Sequence, residues 1–166
     1  MEYLYTEKEW SPILKQQEEM LQYTSFTREE ALELGNIIAK LAKEKYNGAV
    51  AIRIVEDETV IFSYRMAGTV RDADWWMDYK VIGARYVGMS SLRALTASKY
   101  GEFNLDWKAW DHNVLGGCIP VFRKGGGRAF AYVVVSGLEH YEDHMLVADA
   151  MAEQLGIEIP QIKRTK

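Results

Sequence analysis

The chain has 166 residues, 48% hydrophobic and 27% charged, which suits one globular domain over 1-166 that buries roughly 68–70% of its unfolded surface. Twenty basic residues against 24 acidic ones give a net charge of -4 with no basic stripe, so the electrostatic footprint of a nucleic-acid partner is missing. Cys118 is the only cysteine, which excludes an intrachain disulfide and a cysteine-rich zinc knot; with no apolar leader and no run long enough for a bilayer, the expectation is a cytoplasmic protein without a membrane partner.

In chain order, Ser11-Pro12 reads as an N-cap followed by proline at the first helical position, opening a short amphipathic helix through Gln22. Thr27 to Glu30 spells a capping box, and Ala31, Leu34, Ile38, Leu41 and Ala42 form the stripe of a second helix that ends near Tyr46-Asn47-Gly48. Ala49 to Val55 and Thr59 to Met66, parted by Glu56-Asp57-Glu58, predict an antiparallel hairpin. The alternation of Ile52, Ile54 and of Val60, Phe62, Tyr64 predicts one buried face. Asp72 caps a third helix to Val87, whose wide apolar coverage predicts extensive burial. Gly88 interrupts it, Ser90 or Ser91 recaps, and Leu92 to Tyr100 continues as a short helix. Phe103, Trp107, Trp110, Asp111 and His112 lie in a stretch without clean periodicity, read as an ordered loop.

The most legible stretch runs from Leu115 to Gly156. Gly116-Gly117 leads into the apolar run Cys118 to Phe122, Gly125 to Gly127 supplies positive φ for a hairpin turn, and Ala129 to Val135 returns as a β-branched and aromatic strand. Ser136-Gly137 breaks that strand. Asp143 then starts a helix carrying Met145, Ala148, Met151, Ala152 and Leu155 at helical spacing, stopped by Gly156. The tail from Ile157 contains Pro160 and reads as an extended arm. The order ααββααββα gives an α+β fold with helices against an antiparallel sheet. A Rossmann reading fails because strands do not alternate singly with helices and no G-x-G-x-x-G joins a strand to a helix.

Gly116-Gly117-Cys118-Ile119-Pro120, Val135-Ser136-Gly137 and Glu142-Asp143-His144, with Ala31 to Gly35, Gly68-Thr69 and Asp72 to Lys80, resemble the GlcG-like, haem-degrading domain superfamily in its branch of uncharacterised cytoplasmic proteins. Tyr79 stands where relatives usually have Arg, and Glu139 where Pro usually follows Gly-Leu. The resemblance implies a profilin-like fold, an antiparallel sheet with helices on its faces, and homo-oligomeric assembly. It also implies that the candidate cofactor is haem or another tetrapyrrole.

The candidate ligand-binding residues are Gly116, Gly117, Ser136, Gly137, His140, Asp143 and His144, where glycines allow close approach and a helix N-terminus offers unpaired N–H groups. His140 and His144, four apart, are the candidate metal ligands, against the alternative of an ordinary helix cap and a partly buried histidine. Lys124 to Arg128 reads as a hairpin turn or as a basic nest for phosphate. Cys118 in its apolar run reads as a small buried hydrophobe, and Ser136 lacks the G-x-S-x-G context of a nucleophile. Three functions follow: a small-ligand binder, a non-catalytic oligomeric assembly protein, and an enzyme on a small metabolite, for which no base and nucleophile stand together.

Overall fold

The computed structural model describes residues 5–103 and 115–165. The loop reading around Trp107, Trp110, Asp111 and His112 lies outside the described residues. The elements are α1 (Trp10–Met20), β1 (Gln22–Tyr23), α2 (Arg28–Glu44), β2 (Ala51–Glu56), β3 (Thr59–Arg65), α3 (Ala73–Val87), α4 (Ser91–Lys99), β4 (Cys118–Pro120), β5 (Phe122–Arg123), β6 (Tyr132–Ser136) and α5 (His140–Leu155). With the two-residue strands β1 and β5 set aside, this is the predicted order. The fold is α+β.

β2, β3, β4 and β6 form a four-stranded sheet in the order β3-β2-β6-β4, antiparallel throughout. The Val133-Val134-Val135 run is explained by burial on both faces. Val133 and Val135 join Ile52, Ile54 and Ile119 in a large core with α2 and α5, whereas Val134 joins Ala51 and Cys118 against Ala73, Met77, Val81 and Ala84 of α3. The β4–β6 hairpin forks beyond Pro120. Val121 still exchanges backbone bonds with the returning chain, but β5 turns away to pair in parallel with β1.

The capping box of α2 is present in full: the Thr27 side chain accepts from Glu30 N, and the Glu30 carboxylate accepts from Thr27 N. Five local expectations are corrected. Helix α1 starts at Trp10 rather than after Ser11, because the Trp10 indole is buried and donates to Lys163 O at 3.0 Å; Ser11 sits inside the first turn and its hydroxyl meets the Glu102 carboxylate. The helix ends at Met20, so Gln22 belongs to β1. Helix α5 starts at His140, placing Asp143 inside its first turn. Helix α3 is buried on one side only: Trp75, Ile82 and Tyr86 face outward, Trp75 at 51% and Tyr86 at 70% exposure. On the neighbouring edge strand β3, Val60 and Tyr64 are also exposed, so its alternation is only partly covered by the chain itself.

Candidate functional site

Each helix flanking the end of β6 carries one charged residue on its buried side. On α3, Lys80 shares the buried stripe of Ala73, Met77 and Ala84; on α5, Asp143 shares that of Val147 and Met151. Both side chains are 2% exposed, and Lys80 Nζ donates to Asp143 Oδ2 at 2.9 Å and to Val135 O at 2.9 Å. Asp143 Oδ1 accepts from Leu138 N at 3.0 Å, which ties the loop after β6 to the first turn of α5. Burial pushes the Asp143 carboxyl up to about 6, against the opposing pull of Lys80.

The glycines of the predicted site make room for close approach of the chain to itself, Gly117 beside this pair. A Cβ on Gly117, whose φ is +135°, would lie 2.8 Å from Lys80 Nζ and 2.7 Å from Val135 O, so the bare backbone is what lets the lysine reach the strand end. A Cβ on Gly116 would lie 2.4 Å from His140 O, and one on Gly137 2.4 Å from Ala49 O. The expected close approach is therefore of chain to chain.

His140 Nδ1 accepts from Gly116 N at 3.1 Å, which requires the proton to sit on Nε2, 2.7 Å from Tyr5 O. Burial holds this imidazole neutral by lowering its pKa to about 4. His144 points elsewhere: its Nε2 is 2.9 Å from Gln17 Oε1 on α1, and its Nδ1 is buried without a hydrogen-bond partner among the described residues. Its pKa is lowered to about 3, again by burial first. The two imidazoles therefore do not converge, and among the described residues no group of three or more His, Cys, Asp or Glu is placed to hold a metal ion.

A cavity of about 550 Å³ opens above the Lys80–Asp143 pair. Its walls include Val70, Trp76, Leu115 and Leu138, with Tyr5 and Tyr141 alongside; its floor includes Lys80, Asp143, Ser136, Gly137 and His140. Of the sequence-derived site residues, Ser136, Gly137, His140 and Asp143 meet here, Gly116 and Gly117 support it from behind, and His144 belongs to the core beneath α1. Cys118 is fully buried, its thiol pushed up by burial, and its backbone N–H donates to Ser91 Oγ at 3.1 Å.

Residues 26–152 match the family described as "Haem degrading protein HbpS-like". The chain belongs to that family. It is 33% identical over 153 residues to a UPF0303 protein of Yersinia pseudotuberculosis (serotype O:3, strain YPIII), covering 90% of this chain and 88% of the relative. In structure it is similar to Ybr137w, with a TM-score of 0.73, 25% identity and 86% of both chains covered. It shares its fold with PduOC, solved as a haem complex, at a TM-score of 0.63 and 15% identity over 81% of this chain and 98% of that one. The superfamily resemblance read from the glycine and Val-Ser-Gly motifs is thus borne out.

Sequence reasoning missed the walls, because Tyr5, the Val70 and Trp76 pair, and Leu138 come from three separate parts of the chain. Lys80 had a readable signal: a lysine on a buried helical stripe demands a partner. The Lys124 to Arg128 segment lies away from the cavity. Its three glycines have φ near +90°, a Cβ on Gly125 or Gly126 would meet nothing within 4 Å, and Arg128 pairs with Asp57.

Proposed function

We propose that this chain is a small-ligand-binding protein whose cavity takes a flat, largely apolar ligand, with haem or a related tetrapyrrole as the specific candidate. The observation that carries the reading is the cavity itself, whose volume of about 550 Å³ falls within the range of roughly 300–1,000 Å³ usual for ligand sites and which joins apolar walls to a few convergent polar groups. The family description and the haem complex of PduOC support the choice of candidate. The residues fit the body of such a ligand and do not fit histidine ligation of its iron. Both His140 nitrogens are engaged, and His144 does not line the cavity.

Titration with haemin and with metal-free protoporphyrin tests this by absorbance in the Soret region and by quenching of tryptophan. Saturable binding of both, weakened at least about fivefold by Trp76→Ala and unchanged in Soret position by His144→Ala, is the expected result; roughly 1 kcal/mol is what removal of one aromatic contact is worth. Non-saturating spectra identical in wild type and Trp76→Ala would remove the reading.

A second proposal, favoured by the outward face of α3, is homo-oligomeric assembly. Trp75, Ile82 and Tyr86 are exposed on α3, as are Val60 and Tyr64 on the edge strand β3, and a patch paired with its own copy across a two-fold axis is the commonest closed arrangement. Light scattering should give a mass above 19.0 kDa that falls to the monomer value in Trp75→Asp. A wild-type monomer across micromolar concentrations would refute it. A cytoplasmic location belongs to the same proposal and rests on the single buried cysteine; among the described residues no helix is long and apolar enough to cross a membrane.

A further inference from the structure

An ammonium group carries three N–H donors, and every one that is buried needs an acceptor. Lys80 directs two of them to Val135 O and Asp143 Oδ2. Among the described residues Nζ makes no third hydrogen bond, although the side chain is 2% exposed and lines the cavity floor. A buried donor left without a partner is destabilising, and more so when it is charged. The third position is therefore set for an oxygen brought by the occupant of the cavity.

Charge decides which kind of oxygen. Among the described residues Lys80 is the only lysine or arginine lining the cavity, and its charge is already matched by Asp143. Of the remaining wall residues, Asp72 and Glu139 are acidic and His140 is held neutral by burial. Asp72 accepts from the Trp76 indole at 3.0 Å, and Glu139 lies 3.4 Å from Arg164 outside the floor. A ligand carboxylate or phosphate at Lys80 would add an anion where no unmatched cation among the described residues awaits it, and desolvating such a group without a counter-charge is expensive. A carbonyl oxygen satisfies the donor and adds no charge.

We propose that the cavity recognises its ligand through an uncharged carbonyl oxygen, of the lactam or amide kind, that accepts a hydrogen bond from Lys80 Nζ. This rests on the reading of the cavity as a ligand site. Any carboxylates on the same ligand stay at the solvent-facing mouth, and Trp76 supplies a face for its planar body.

The test compares biliverdin, which carries lactam carbonyls, with protoporphyrin, which has the same propionates and no lactam. Binding is followed by tryptophan quenching in the wild type and in the double variant Lys80→Met/Asp143→Leu. That pair of changes replaces the buried ion pair with apolar groups of similar size and leaves no unmatched charge. Biliverdin should bind at least about tenfold more tightly than protoporphyrin to the wild type, and the preference should fall below about twofold in the double variant. The dimethyl esters of both ligands, measured on the wild type alone, should keep the preference, since esterification removes the carboxylate charge and spares the lactams. This arm stands even where the double variant does not fold. Protoporphyrin binding as tightly as biliverdin, a preference that survives in a folded double variant, or one that vanishes on esterification would overturn the carbonyl contact while leaving the cavity as a ligand site. Failure of every ligand to saturate would overturn the cavity reading and the carbonyl contact together.

Discussion

The strands β4 and β6 are bracketed by two glycine clusters that look alike in sequence and work differently. At one end, Gly116 and Gly117 are jammed: added Cβ atoms would strike His140 O at 2.4 Å and Val135 O at 2.7 Å. At the other, Gly125 and Gly126 stand in open space and are needed only for φ values of +88° and +90°. The first cluster removes volume so that Lys80 and the start of α5 can close on the strand end. The second removes a conformational penalty so that the chain can turn. The cavity proposed as a ligand site opens at the crowded end, where packing forces the polar groups of Lys80 and Asp143 out of water.

The sharpest way to break this contrast is to remove the group that the crowded end accommodates. Lys80→Ala should destabilise the protein by about 3–5 kcal/mol in urea denaturation, because it leaves the Asp143 carboxylate buried and unmatched, whereas Lys80→Met/Asp143→Leu should be neutral to stabilising. A loss below about 1 kcal/mol in Lys80→Ala would mean that the pair does not hold the two helices.

Next in size is an effect of acid. His140 and His144 have folded pKa values of about 4 and about 3, below the 6.5 of a free imidazole, so the unfolded chain binds more protons. Their stabilisation is complete above pH 6.5 and drains away as the pH falls towards 4, on the order of 3 kcal/mol each at about 1.4 kcal/mol per pKa unit. Asp143, raised from 3.8 to about 6, acts in the opposite sense between those values and returns part of the loss. Thermal melts should therefore fall in midpoint from pH 6.5 to pH 4, and a flat profile would contradict the burial of the two imidazoles.

Smaller effects separate the glycine clusters directly. Gly116→Ala should cost about 1–3 kcal/mol through steric overpacking against the His140 backbone. Gly126→Val should cost about 1–2 kcal/mol, through left-handed backbone alone. The distinguishing readout is ligand binding, which Gly116→Ala should weaken and Gly126→Val should leave intact. If Gly126→Val kept its melting temperature but lost binding of a phosphorylated compound, the turn would have to be read as an anion nest instead.

The sequence by itself determined the elements and their order. The Thr27 capping box, the β-branched runs of β2 and β6, the Gly125 to Gly127 turn and the Gly88 and Gly156 stops are local signals, each set by the conformational preferences of a few adjacent residues. The place proposed for the site is marked for the same reason, since the end of a strand and the start of a helix are both local signals. Only the tertiary structure decided what the marked residues do. His140 became a clamp between Gly116 and Tyr5, His144 turned to Gln17, and Lys80 became the centre of the floor, because burial and partners come from residues 24 to 135 positions away in the chain. The apolar positions of α3 likewise could not be divided in sequence between those facing the sheet and those facing out, since its wide coverage satisfies both until the sheet takes one side and leaves Trp75, Ile82 and Tyr86 on the other.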